Sequence, residues 1–324
     1  MFVGPGIWTK CCPLRKGMLM LLANPLRNAM VGLLRLGSAQ VFVGAAAIFA
    51  RFALTGAGPL AVSYLRLAIA AAIVVALSFV RGGRARLGTR RELLLALAGA
   101  ALALHFAGWI ASLEFTSVAI ATVLVCTSPI FTGIYDAFAM RRFPGTFFWG
   151  ALALGALGLA LVVAAKSAPA PIPGHAALGA ALALAGAIAM GFYLTLVRSV
   201  RAELGTLAIV SRTYAWAALL LVPCAALAQQ PPPPLANGVA WGGIVAMALV
   251  SQLLGHTTMN AALRDFTPTT VGFSTLLEPL IAALLAALVF GESVGGATVA
   301  GGILLLAAVG LAIRAQAAAV DTEL

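Results

Sequence analysis

The sequence predicts an all-α polytopic membrane protein of ten transmembrane helices, arranged as two inverted-topology five-helix repeats. Three observations predict it. Charge is too scarce to cover a water-facing surface. The apolar runs have bilayer length, with basic residues concentrated in alternate gaps. Several residues of the first half recur in the second at a nearly constant offset.

Of 324 residues, 62% are hydrophobic and 9% charged, with a mean hydropathy of +1.07. A soluble domain carries about 25% charged residues, so most of this chain must face lipid. One span takes about 20 apolar residues, and ten would use roughly two-thirds of the chain. The four cysteines make no framework. Cys126 and Cys224 sit singly in apolar runs, where a thiol packs as a small hydrophobe. Cys11 and Cys12 are adjacent in a basic segment, read as ordinary thiols with reversible acylation as the alternative. No metal-ligand spacing and no cofactor motif is present.

Residues 1–34, interrupted by Pro5, Pro13 and Pro25, read as an irregular cytoplasmic arm open to disorder. It lacks a clean apolar region ending in a small-residue cleavage site, so it is not read as a cleavable signal. Met18, Met20 and Met30 leave a later start open. The first repeat is assigned to 35–166, the second to 175–316, and 317–324 to a cytoplasmic tail.

The first five spans fall at 36–55, 60–80, 93–112, 117–140 and 146–165. The second five fall at 176–197, 206–228, 238–258, 267–290 and 295–314. Turn signals separate several of them: Thr55-Gly56-Ala57-Gly58-Pro59, Arg81-Gly82-Gly83 and Phe143-Pro144-Gly145. The segment KSAPAPIPGH at 166–175 divides the halves. The four-proline run at 231–234 reads as a stiff extended connector.

Charge placement decides orientation. Lys10, Arg15, Lys16, Arg27 and Arg35 precede the first span; Arg81, Arg84, Arg86, Arg90 and Arg91 follow the second. Arg141 and Arg142, Arg198 and Arg201, Arg264 and Arg314 follow the fourth, sixth, eighth and tenth. The other side offers only Arg51 and Lys166. This asymmetry predicts both termini in the cytoplasm and an even number of spans. It also accounts for the net charge of +11 without a nucleic-acid partner, which would want a basic stripe on one surface.

His105, Phe115 and Thr116 recur as His256, Phe266 and Thr267, each 151 residues on. Pro129 recurs as Pro279 and Arg66 as Arg212, at offsets of 150 and 146. A near-constant offset marks a duplicated unit. Five spans being odd, the second copy enters the membrane from the opposite side. Inverted repeats of this kind place a substrate site between the halves, near mid-membrane.

The segments SLEFTSVAIATVLVCTSPIFTGIYDAF (112–138) and TPTTVGFSTLLEPLIAALLAALVFGES (267–293) carry a family resemblance. Together with the apolar helices that follow them, they resemble the paired signatures of EamA-type proteins in the drug/metabolite transporter superfamily, over roughly residues 36–316. The resemblance implies a central cavity lined by spans 1–4 and 6–9, peripheral spans 5 and 10, and a rocking alternating-access cycle. It leaves the substrate open among amino acids, other metabolites, nucleotide-linked sugars and drugs. The acidic Glu292 after the second proline helix has no counterpart in the first half, where Arg141-Arg142 stands.

Charged and polar residues within the spans are the site candidates, because such groups are costly in hydrocarbon unless they face a cavity or a partner. Glu278, before the helix-breaking Pro279, is the sharpest: proline frees backbone carbonyls beside a carboxylate. It is expected to bind a substrate cation or a coupling proton, with a structural salt bridge to Arg66 or Arg212 as the alternative. The first half has Ser128 in its place, before Pro129. Arg66 and Arg212 lie about two turns from span ends, so snorkelling competes with a pathway role. His105 and His256 are proton-relay candidates against ordinary packing histidines. Asn260 shares a helix face with His256. Trp109 and Tyr64 are cavity candidates, as are Trp216 and Tyr135, against packing to lipid. Asp136 is read as lying on the face of Pro129 or pairing with Arg141 or Arg142. Trp149 and Trp241 read as interfacial anchors. The glycines of spans 5 and 10 suit close helix packing, in a monomer or a homodimer.

The expected function is secondary transport, as export of small metabolites such as amino acids, with a proton as the candidate coupling ion and no cofactor. No GxxxxGK[ST] motif is present for ATP. A nucleotide-sugar or multidrug carrier is the alternative within transport; an intramembrane enzyme or a non-transporting scaffold is the alternative outside it. No catalytic cluster supports an enzyme, and a scaffold has no need of charges inside its spans.

Overall fold

The structure, a computed structural model, describes residues 13–81, 87–140, 144–164, 175–291 and 293–321. Lys10, Cys11, Cys12, Arg84, Arg86, Arg141, Arg142, Lys166 and Glu292, all named above, lie outside these residues. No strand occurs among the described residues.

Among the described residues, ten helices are long and apolar enough to cross a bilayer. The first five are α1 (Ala29–Ala53), α2 (Pro59–Val80), α3 (Thr89–Phe115), α4 (Ile120–Phe138) and α5 (Thr146–Ala164). The second five are α6 (Ala176–Arg201), α7 (Thr206–Leu227), α8 (Gly238–Ala262), α9 (Pro268–Phe290) and α10 (Gly296–Ala318). Several run past the apolar stretches that announce them. The α3 helix, for instance, begins with Thr89-Arg90-Arg91-Glu92, polar residues that continue a helix into the interface but drop out of a hydropathy profile.

The N-terminal arm departs from expectation. Its backbone is helical from Pro13 and runs continuously to Gly44. Pro13 stands at the first turn, where a missing N–H has no helical partner to lose. The leucines and methionines that follow are good helix formers, and they carry the helix through Pro25.

Short turns set the helix starts. Ser117 caps the helix of α4 by accepting from Ile120 N at 3.3 Å, and Thr267 caps α9 by accepting from Thr270 N at 3.2 Å. Pro59 and Pro268 occupy the first turns of α2 and α9. Gly291 ends α9 in the left-handed region, at φ 67°, where glycine has no Cβ penalty.

The helices pack by exchange of halves. Each of α2, α4 and α5 lies against its own counterpart, α7, α9 and α10 respectively. The remaining contacts interchange: α3 packs on α6 and α1 on α8. That is the pattern of a two-fold axis lying in the membrane plane. The α5–α10 pair is peripheral and approaches to backbone contact, since a Cβ on Gly158 would meet Gly301 O at 2.8 Å. Gly158 and Gly301 therefore serve packing within one chain, whereas a Cβ on Gly295, Gly296 or Gly310 would meet nothing within 4 Å.

Regular helix gives way near the centre. The α4 span is broken at Cys126–Thr127, just before Ser128-Pro129, and α9 passes through a 3-10 turn at Thr275–Leu277, just before Glu278-Pro279. Each proline then occupies the first turn of the new segment, where it costs no hydrogen bond. Two further interruptions lack counterparts: α1 bends at Ala45, and α8 is π-helical from Met247 to His256. Their repeat relatives α6 and α3 are unbroken.

Candidate functional site

A cavity lies where the broken helices meet. Its lining includes Arg66 of α2, His105, Phe106 and Trp109 of α3, Ser128 of α4, Met190 of α6, His256 of α8 and Glu278 of α9. Val43 and Ala46 of α1 complete one wall. The space open to the centre of a water molecule is about 20 Å³, room for one or two waters. Neither α5, α7 nor α10 contributes. The peripheral place of α5 and α10 matches what the resemblance implied; the absence of α7 does not.

Arg66 is fully buried. Its Nη2 donates to Gln252 Oε1 at 2.9 Å, and its guanidinium carbon lies 3.9 Å from the centroid of the Phe106 ring. A desolvated cation over an aromatic face gains about 2 kcal/mol, too little to offset burying a guanidinium alone. Nε and Nη1 have no hydrogen-bond partner. Arg66 therefore does not snorkel to the interface.

Phe106 organises the histidines as well. Its ring meets His105 edge-on at 4.8 Å and His256 at 5.0 Å, and the two imidazoles are 6.3 Å apart. His105 Nδ1 donates to Gly186 O at 3.0 Å, because a carbonyl can only accept, so Nδ1 carries a proton. His256 Nδ1 has no partner. Trp109 Nε1 and Ser128 Oγ, also in the lining, are likewise unpartnered. Buried polar atoms are nearly always satisfied, so the orphans around this one space leave their hydrogen bonds to water or to a polar ligand. Cys126 is more than a small hydrophobe here, since its thiol lines the cavity and donates to Thr275 O at 3.2 Å.

Five sequence candidates thus come together: Arg66, His105, His256, Trp109 and Glu278. Pro129 and Pro279 stand directly behind Ser128 and Glu278, at the breaks that open α4 and α9. Glu278 is half-buried and makes no salt bridge with Arg66 or Arg212. Arg212 is elsewhere, paired through Nε with Glu92 Oε2 at 3.0 Å. Asn260 is fully buried outside the lining: it donates to His256 O at 2.8 Å and accepts from Tyr193 OH at 2.9 Å. Tyr64 is half-buried and also outside the lining. Tyr135 packs on Phe192, and Trp216 donates to Glu92 Oε1 at 3.2 Å. Asp136 accepts from Thr269 Oγ1 at 2.5 Å, across the α4–α9 contact.

Gln252 was not singled out by the sequence. The available signal is an amide inside an apolar run, four residues before His256. Its role depends on the π-helical stretch, which no local sequence rule announces.

No curated protein matches the chain. One solved structure, described only as "Crystal structure of protein", aligns with a TM-score of 0.74 over 89% of this chain and 98% of its own, at 18% identity. At that identity the likeness carries the fold alone. The EamA-like transporter family matches residues 30–164 and 177–314, one stretch in each half. The ten-helix, two-repeat chain belongs to the EamA-like transporter family, and is a multi-pass membrane transporter.

Proposed function

We propose that the protein is a secondary transporter that exports a small zwitterionic metabolite of the amino-acid type by alternating access between its repeats. The observation that carries this reading is Arg66: a fully buried guanidinium with two unpartnered nitrogens, sharing a cavity with the Glu278 carboxylate. A carboxylate on Arg66 would supply the charge-assisted hydrogen bonds its donors lack. An ammonium on Glu278 would balance the other end. Among the described residues, Arg66 is the only Lys or Arg in the lining, whereas a nucleotide sugar asks for several cations, which favours the smaller ligand.

A space for one or two waters cannot hold an amino acid, so loading requires the lining helices to move. The interruptions at Ala45, Cys126–Thr127, Met247–His256 and Thr275–Leu277 put adaptable backbone where that motion is needed. A proton is the proposed coupling ion, with Glu278 and the two histidines as its stations. The basic residues clustered on the N-terminal side favour cytoplasmic termini in a cell (inner) membrane.

Purified protein in proteoliposomes, assayed for exchange of amino acids at two pH values, tests the reading. Exchange of at least one amino acid, lost in Arg66→Gln and altered in pH dependence in Glu278→Gln, is the expected result. Absence of exchange by correctly folded protein across the set would overturn it and return an intramembrane enzyme or a scaffold to consideration.

A further inference from the structure

Arg212 is the repeat counterpart of Arg66, yet its surroundings are different. Under the 151-residue offset, the position matching Gln252 is Ala101, which offers no acceptor. The Arg212 guanidinium pairs instead with Glu92, and its Nη1 approaches Ala208 O at 3.4 Å. The second Glu92 oxygen accepts from Trp216 Nε1 at 3.2 Å. Both charged side chains are partly exposed, 22% for Arg212 and 39% for Glu92.

They open onto a cleft of about 340 Å³ between α2, α3 and α7, lined also by Ser78, Phe79, Trp216 and Leu219. That volume falls within the usual range of ligand sites, about 300–1,000 Å³. Its charged residues lie toward the ends of the spans that hold them. Phe79 is one residue from the end of α2 and Glu92 three from the start of α3. Arg212 is six residues into α7, or about 9 Å at 1.5 Å per residue. The rim is apolar and outward-facing, with Phe79 and Leu219 exposed.

We propose that this cleft binds the headgroup of a zwitterionic aminophospholipid, its phosphate on Arg212 and its ammonium on Glu92. Side by side, the carboxylate and guanidinium match a ligand that carries an anion and an N–H-bearing cation on one short linker. The apolar rim supplies a place for acyl chains that a soluble ligand would leave empty. A choline headgroup has no N–H to donate to Glu92, and an anionic headgroup would set a second negative charge beside it. The neighbouring Arg91 is engaged by Glu203 and leaves Glu92 to the cleft. The proposal stands independently of the transported substrate, because the cleft shares no lining residue with the central cavity.

Native mass spectrometry of the purified protein with phosphatidylethanolamine, phosphatidylcholine and phosphatidylglycerol of matched chains tests it. The expected result is retention of the ethanolamine lipid by about tenfold over the other two, the weight of one charge-assisted hydrogen bond. Glu92→Gln should abolish the preference. Leu219→Trp, which fills the cleft from an exposed position and leaves the ion pair intact, should reduce retention of the ethanolamine lipid while the melting temperature holds. Equal retention of the three lipids by the unaltered protein, or an undiminished preference in folded Leu219→Trp, would overturn the proposal. Displacement by soluble glycerophosphoethanolamine as effective as by the lipid would assign the site to a free phosphoamine instead.

Discussion

At the residue scale, a guanidinium held by one amide and one ring, with two nitrogens left over, dominates the centre of the molecule. On the proposed reading, Arg66→Lys keeps the charge but loses the planar fork that grips a carboxylate. A charge-assisted hydrogen bond is worth about 1.5–3 kcal/mol, so this change should weaken substrate affinity by roughly 10- to 100-fold, measured as the KM of exchange. Asn260 should behave in the opposite way. Its amide is consumed by His256 O and Tyr193 OH, so Asn260→Ala should lower the melting temperature, by about 0.6–2 kcal/mol of stability, with KM unchanged. Composition alone makes Arg66, Glu278 and the histidines legible, because charge in hydrocarbon is rare and demands a reason. It does not separate Arg66 from Arg212, since both stand at equivalent places in related helices. What parts them is the residue each guanidinium meets: Gln252 on α8 for Arg66, Glu92 on α3 for Arg212.

At the element scale, four of the helices that line the cavity are interrupted, and the peripheral pair is in backbone contact. Pro129 and Pro279 announce two of the four interruptions. The bend at Ala45 and the π-helical run in α8 carry no comparable sequence mark. One tertiary and one local contact meet at the latter: Gln252 O accepts from Tyr214 OH on α7 and from Thr257 Oγ1 within α8, each at 3.3 Å. On the periphery, Gly158 and Gly301 bring α5 and α10 to backbone contact. Gly158→Val should therefore sharply reduce the yield of folded protein, since overpacking a tight contact costs about 1–3 kcal/mol. Gly310→Val on the same pair should be tolerated, because nothing lies within 4 Å of a Cβ there. Size-exclusion profiles and melting temperatures of the two variants give the comparison.

At the scale of the whole molecule, the two halves meet differently on the two sides. On the N-terminal side, ion pairs join repeat to repeat: Arg35 with Asp265, Arg91 with Glu203 and Arg212 with Glu92. On the opposite side, Arg51 lies over the Phe290 ring at 4.3 Å and Gln230 accepts from Leu60 N at 2.7 Å. Exposed ion pairs are worth about 0–1 kcal/mol each and are screened by salt. Asp265→Asn should accordingly raise the rate of thiol labelling at cavity-lining Cys126 by up to about fivefold, with Cys11, Cys12 and Cys224 replaced by serine. High salt should mimic the change in the unaltered pair. An unchanged labelling rate in both conditions would mean that these pairs do not hold the N-terminal side closed.

Taken by itself, the sequence determined the class, the number of spans and the duplication. Each of these follows from a quantity carried along the chain: scarce charge, apolar length and a repeated offset. Only the tertiary structure decided which helix faces which, that α3 pairs with α6 and α1 with α8 while the other counterparts pair with each other. It alone brought Gln252 within hydrogen-bond reach of Arg66 and set Arg212 beside Glu92 in a separate cleft. The physical reason is that lipid and apolar helix faces are chemically alike. Contact between helices is set by shape and by a few buried polar partners, and those partners are separated by more than a hundred residues: Arg66 from Gln252, Glu92 from Arg212, Asp136 from Thr269.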